Sequence, residues 1–314
     1  MDAILQWGLR FVELVQGDRS PVLVFLMRGI SAAGSAPAFM LLIAFLYWCV
    51  DDRKSVHLGI MLLISAWVNL ILKLLLDQPR PFFPGFAPEL GIAGADFGGM
   101  PSGHAQNSLV LCLILASWIR KTWFYALAGL FCLAMAFSRI YLGVHFPTDI
   151  VGGWLVAGLL ALAYFLGFRP VEEFFANYSP RAPLVAVAAL SFAMILYRPV
   201  PDILLPAGLI LGLGLGFYLC RRHVAFVPFS TFGRIGLARH LTYFTRFTMG
   251  TAGLALLLFL PRGILARFEG SGNYNLLTFA HYSLVGLWVT LGAPWLFRLT
   301  RLSESNVIHY EEYD

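Results

Sequence analysis

Long apolar runs, each near the length that crosses a bilayer, alternate with short polar connections along most of the chain. A helical crossing needs about 20 predominantly apolar residues. Runs of that kind stand at 36–50, 55–76, 103–119, 122–142, 148–168, 182–198, 201–220, 247–266 and 276–299. The pattern predicts an all-α fold, a polytopic transmembrane helical bundle of about nine spans. Ahead of these, residues 3–16 put Ile4, Trp7, Phe11 and Val15 on one helical face, with Arg10 and Glu13 off it. That suits an amphipathic helix lying in the interface, or equally one packed on the end of the bundle. A second short segment covers 20–34. Two connections are long: 77–102, rich in Gly, Pro and Phe, and 221–246, basic and aromatic. Pro180 and Pro183 mark a seam. The predicted organisation is an interfacial segment over 1–35, a helical core over 36–170, a membrane-helix extension over 182–299 and a polar tail over 300–314.

Composition removes the soluble alternatives. The chain is 59% hydrophobic with 12% Asp, Glu, Lys and Arg, and its mean hydropathy is +0.76, more apolar surface than a water-soluble core can hide. A net charge of +5 does not point to nucleic acid, because the basic residues collect in loops as membrane topology requires. Of the 22 Lys and Arg, thirteen fall in one set of loops and six in the other, leaving aside Lys73, Arg80 and Arg139. The richer set is expected in the cytoplasm, with the C-terminus, in a bacterial inner membrane. The N-terminus lacks a basic region and a cleavage site, so no removable signal peptide is expected. Cys49, Cys112, Cys132 and Cys220 lie in or at the ends of apolar runs without metal spacing, as packing residues do.

Three polar clusters interrupt this pattern on the same predicted side, outward of the membrane. Lys73 to Pro81 closes the second run; Pro101-Ser102-Gly103-His104 opens the third; Ser138 to Asp149 bridges the fourth and fifth. Charged residues at such depth are costly and ordinarily face a partner or a wet cavity. His145 and Asp149 are four apart across a helix start at Pro147, so the carboxylate can orient the imidazole. Three cations, two His and a Gly-led helix start suit a doubly charged oxyanion.

Lys-x6-Arg-Pro, Pro-Ser-Gly-His and Ser-Arg-x5-His-x3-Asp resemble the three-part signature of the type 2 phosphatidic acid phosphatase superfamily, with all eleven fixed positions met. The resemblance covers 73–149 and extends through the flanking helices to about 36–168. It implies that 36–170 is catalytic. His145 is then expected to attack phosphorus and become phosphohistidine, with Asp149 orienting it. His104 would protonate the leaving oxygen and later activate water. Lys73, Arg80, Arg139, Ser102 and the Gly103 amide would hold the phosphoryl oxygens. No cofactor or metal is implied. The expected partners are a lipid phosphate or diphosphate and membrane lipids; no signal for an oligomeric state is present. Weaker likenesses reach the sphingosine-phosphate phosphatase and glucose-6-phosphatase branches.

Taken singly, these residues have plainer readings. Lys73 can snorkel, Arg80 and Arg139 can pair with Asp77 and Asp149, and Ser138 can bond locally or touch phosphate. His57, His223, His240, His281 and His309 show no ligand spacing. In the 221–246 connection, Arg221, Arg222, Arg234, Arg239 and Arg246 lie among Phe226, Phe229, Phe232, Tyr243 and Phe244, a pattern suited to anionic lipid or a soluble partner. Phe82 to Phe86 are expected at the outer interface. Rival functions are a lipid-to-lipid phosphotransferase, a sugar-phosphate phosphatase and a transporter that binds phosphate without cleaving it.

Overall fold

The computed structural model describes residues 3–17, 20–82, 98–179, 181–228 and 236–303, and over these it is all helical. The helices run α1 Ala3–Gln16, α2 Pro21–Ala33, α3 Ala36–Cys49, α4 Asp52–Leu76, α5 Gly103–Ile119, α6 Thr122–Tyr141 and α7 Pro147–Tyr178. They continue as α8 Ala182–Tyr197, α9 Pro201–Leu219, α10 Gly236–Phe259, α11 Arg262–Ala266, α12 Tyr274–Leu287 and α13 Ala293–Leu299. Among the described residues six helices are long and apolar enough to cross a membrane, or seven if the bent pair α2–α3 counts as one span. α5 and α8 are apolar but shorter, at 17 and 16 residues. The chain is an integral membrane protein.

Several boundaries differ from the hydrophobic pattern, each for a local reason. The span predicted at 247–266 starts at Gly236 and breaks before Pro261, which cannot donate the next helical hydrogen bond. The span predicted at 276–299 is interrupted by a π-helical turn at Trp288–Gly292, just ahead of Pro294. α7 continues past Pro170 to Tyr178. The basic connection 221–246 is largely helical: a π turn over Cys220–Val224, then α10 from Gly236. Arg246 is not at the surface as expected but fully buried, on the stripe Thr242, Arg246, Gly250, Leu254 that α10 turns inward. Phe229, Phe232 and Arg234 lie outside the described residues, as do His309 and most of the polar tail.

The chain divides into two compact units, Met1–Phe39 with Ile64–Val171, and Met40–Leu63 with Glu172–Asp314. In the first, a polar seam ties α4 to the start of α5. Asn69 donates to Gln106 Oε1 at 2.8 Å and to the Pro101 carbonyl at 3.1 Å, while Gln106 Nε2 donates to the Ser65 carbonyl at 2.8 Å. Such bonds hold helices together where lipid removes the hydrophobic drive for association. α1 turns Gly8, Val12 and Gln16 inward and leaves Ile4, Trp7 and Leu14 exposed. Cys112 and Cys132 pack with Ala128, and all four cysteines are buried free thiols.

The second unit is built on close backbone approach. A Cβ on Gly212 would come within 2.1 Å of the Ser283 carbonyl oxygen, so α9 and α12 can meet only through small residues. The π turn frees backbone carbonyls, and α3 satisfies two of them: Tyr47 Oη donates to Thr290 O at 2.9 Å and Trp48 Nε1 to Val289 O at 2.8 Å.

Candidate active site

The third motif is shaped by a helix start. Pro147 occupies the first position of α7, where its missing N–H is not needed. Asp149, two residues on, folds its side chain back so that Oδ2 accepts from the Phe146 N–H at 2.9 Å, one half of a capping box. The same oxygen lies 3.0 Å from His145 Nδ1. Since a carboxylate only accepts, Nδ1 carries the proton and Nε2 keeps its lone pair. Helix capping thus fixes the tautomer of the imidazole. Both side chains are buried.

The first motif is terminated by its prolines. α4 ends with Asp77 in the left-handed region (φ 41°), and Pro79 and Pro81 prevent any continuation. Lys73, in the last turn, donates from Nζ to the Gly98 carbonyl at 2.9 Å. The Gly99 N–H donates to Gln78 O at 2.6 Å. Gly99 is tightly enclosed: a Cβ would lie 3.0 Å from both Asp149 Oδ2 and the Pro79 carbonyl oxygen. Arg80 is buried, with a long contact of 3.5 Å from Nη1 to Val144 O and the Phe82 ring centroid 5.9 Å away. Phe83 to Phe86 lie outside the described residues.

The second motif joins the other two. The Ser102 amide donates to the Asp149 carbonyl at 2.9 Å, stitching the start of α5 to the start of α7. A Cβ on Gly103 would stand 3.0 Å from Asn69 Oδ1, and one on Gly153 would stand 2.7 Å from the Ser102 carbonyl oxygen. Ser102 occupies the N-cap of α5 without capping it: its Oγ is buried and has no partner among the described residues. An uncapped helix start leaves N–H groups that suit an anion.

Electrostatics reports the convergence. The His145 imidazole is held well below its ordinary pKa, first by burial and then by Arg139, Lys73, Arg80 and His104, which all act on it. Backbone and side-chain contacts join the rest: Asp149 bonds His145 and Ser102, Gly103 follows Ser102, and Gly99 lies between Asp149 and Arg80, so the eight residues singled out from the sequence gather in the first unit. Asp149 Oδ1 and Arg139 Nε are likewise buried without a partner among the described residues. Ser138 is occupied elsewhere, donating to the Met135 carbonyl at 2.7 Å. Not foreseen were Asn69, Ser65 and Gly98–Gly99, which carry the motifs, or Ser31, whose hydroxyl accepts from Arg139 Nη1. Asn69 and Ser65 had a legible signal, amide and hydroxyl side chains four apart in an apolar helix.

Comparison with known proteins places the motifs in context. Residues 54–172 match the family model described as PAP2 superfamily, and 205–305 match one described as PAP2 superfamily phosphatase, transmembrane extension. The chain is 31% identical over 165 residues to phosphatidylglycerophosphatase B of Bacillus subtilis, covering 48% of this chain and 77% of that protein. It is 28% identical over 187 residues to sphingosine-1-phosphate phosphatase 2 of Mus musculus, 57% of this chain and about half (51%) of that protein's length. Glucose-6-phosphatase 3 of Mus musculus is 27% identical over 292 residues, covering 77% and 82%.

Proposed function

The chain belongs to the PAP2 superfamily of phosphatases, and from that premise we propose that it hydrolyses a lipid phosphate or lipid diphosphate through a phosphohistidine at His145. Lys73, Arg80, Arg139, the Ser102 hydroxyl and the amides opening α5 bind the phosphoryl oxygens. These contacts strengthen as charge redistributes toward the transition state. His145 Nε2 attacks phosphorus while His104 gives a proton to the departing oxygen; Asp149 stabilises the imidazolium that forms. Water, relieved of a proton by His104, then attacks the phosphohistidine and phosphate leaves. The observation that carries this reading is the convergence of three cations and a second imidazole on His145, whose Nδ1 is tied to a carboxylate.

A lipid is favoured because the site gathers helix ends, where a tail can stay in hydrocarbon while its headgroup enters. A water-soluble sugar phosphate is the second reading, supported by the length over which glucose-6-phosphatase 3 aligns. One experiment separates them: phosphate release by the detergent-purified protein over phosphatidylglycerophosphate, a sphingoid-base phosphate, an undecaprenyl diphosphate and glucose 6-phosphate. Turnover of the sugar ester alone would overturn the lipid assignment; no turnover of any would overturn hydrolysis. Adding an acceptor lipid tests for phosphotransfer.

The proposed setting is a bacterial inner membrane, with nine crossings once α5 and α8 are counted beside the seven longer candidates. α1 lies in the interface with Ile4, Trp7 and Leu14 toward lipid. Residues 36–170 form the catalytic core and 182–299 an extension. The site opens away from the cytoplasm and the C-terminus lies inside, as the loop charges require. Labelling of single cysteines at the exposed positions 271 and 301 by impermeant maleimide on intact cells checks it; labelling at 301 but not at 271 would reverse the orientation.

A further inference from the structure

The N-terminal helices pack on the third motif at three positions. A Cβ on Gly8 of α1 would lie 2.8 Å from the Phe146 ring, the residue beside His145. Gln16, buried at the end of α1, donates to the Tyr141 carbonyl at 2.9 Å, at the last turn of α6. Ser31, buried on α2, accepts from Arg139. α2 also supplies Met27, packed with Tyr141, Leu142 and Val144, the residues that lead into His145. All of these lie within one compact unit, and none of Gly8, Gln16, Met27 or Ser31 falls in the matched range 54–172.

The chemistry of the Ser31 contact is specific. Its hydroxyl is the hydrogen-bond partner that the Arg139 guanidinium has among the described residues, and Arg139 Nε, buried beside it, has none. A carboxylate at that position would orient the guanidinium but neutralise it. A neutral acceptor fixes one edge of the fork and leaves both the charge and the remaining donors for an oxyanion.

We propose that Ser31 is a positioning residue for phosphoryl binding, aiming Arg139 at the substrate's phosphoryl group through an uncharged hydrogen bond supplied by the N-terminal helices. This rests on the phosphatase reading of the site. Ser31 does not touch the reacting atoms; it acts through Arg139.

The test compares Ser31→Ala, Ser31→Thr, Ser31→Asp and Arg139→Ala in the full-length protein, by steady-state phosphate release and by calorimetric binding of orthovanadate. Loss of one hydrogen bond to a charged group predicts a fall of about tenfold in kcat for Ser31→Ala, with vanadate affinity weakened in step and KM little changed. Ser31→Thr, which keeps the hydroxyl, restores both; Ser31→Asp falls below Ser31→Ala because it neutralises Arg139. Alanine favours helix, so α2 itself is not at risk. Wild-type kcat and vanadate affinity in Ser31→Ala, or equal damage in Ser31→Thr and Ser31→Ala, would overturn the inference. Arg139→Ala at wild-type activity would instead overturn the phosphatase reading of the site. If the wild-type protein binds vanadate but releases no phosphate, a weakened affinity in Ser31→Ala sustains the role of Ser31 and only hydrolysis falls.

Discussion

Two buried guanidinium groups, one in each compact unit, have opposite surroundings. Arg246 in the second unit is fully buried, and its donors are met by backbone carbonyls: Nε to Leu302 O at 3.0 Å, Nη2 to Leu302 O at 2.6 Å, and Nη1 to Trp48 O at 3.2 Å and to Pro228 O. The rings of Phe226 and Tyr243 stand 5.4 and 5.8 Å away. Arg139 in the first unit has a single hydroxyl partner among the described residues and neighbours of its own sign. Buried polar groups in folded proteins are ordinarily satisfied, and those left wanting call for an explanation. A saturated guanidinium is a strut; an unsaturated one beside Lys73, Arg80 and two imidazoles keeps charge and donors for the anion that the proposed reaction would bring. Neither composition nor depth separates the two. Only the inventory of acceptors does.

That contrast can be broken experimentally. The largest effect belongs to His145→Ala, which should lower phosphate release by about 10⁴-fold or more, as loss of a nucleophile does in a unit of this kind. A protein labelled with radioactive phosphate should then trap none; near wild-type turnover would remove His145 as nucleophile. His104→Gln follows, with about 10²–10⁴-fold, the range of general acid–base groups. Burst kinetics on an activated aryl phosphate, which needs no proton for its leaving group, should recover the first step and leave the second slow.

Arg139→Ala and Arg246→Met sharpen the pair directly. Arg139→Ala should cost about 10²–10³ in kcat, the scale of one oxyanion donor, with little change in Tm. Arg246→Met should do the reverse. It leaves the carbonyls of Trp48, Pro228 and Leu302 without a donor, at about 1–3 kcal/mol for each, so Tm falls while the pH profile of the surviving activity holds. A variant at Arg246 that lost turnover at full stability would make it part of the chemistry after all.

The smallest effect is in pH dependence. Burial and the cations around it disfavour the protonated imidazole of His145, so it stays neutral below the ordinary value of 6.5, and the acid limb of kcat/KM should lie under that value. Removing one positive neighbour relaxes this. Arg139→Gln should move the limb upward; a downward shift would mean that another group governs the limb.

Much of this was legible in the residues alone. Apolar runs of bilayer length, and Lys73, Arg80, His104, Arg139, His145 and Asp149 set at their ends, are local facts of spacing and hydropathy, and they led to the helices and to the residues proposed for the site. The pattern was less informative where a helix is amphipathic rather than uniformly apolar. It took 236–246 for a surface loop because Arg239 and Arg246 look solvated, yet the four-residue spacing of Thr242, Arg246, Gly250 and Leu254 is the mark of a buried stripe. It also set α1 and α2 apart as a segment over 1–35, and left open whether α1 lies in the interface or packs on the end of the bundle. Their contacts with Arg139, Tyr141 and Phe146 join residues more than a hundred positions apart, which no local period records.

What the sequence by itself determined is the inventory: a helical membrane protein, its approximate spans, and the acids, bases and cations available for phosphoryl chemistry, because these follow from side-chain type and helical repeat. What only the tertiary structure decided is the state of each group. Whether Asp149 spends its oxygen on His145, whether the Ser102 hydroxyl finds a partner, and whether a guanidinium is sated by carbonyls or left with donors to offer all depend on which atoms distant segments bring within about 3 Å, as Ser102 N to Asp149 O at 2.9 Å illustrates. A hydrogen bond is decided over a few tenths of an ångström, a distance that folding sets and spacing along a chain cannot.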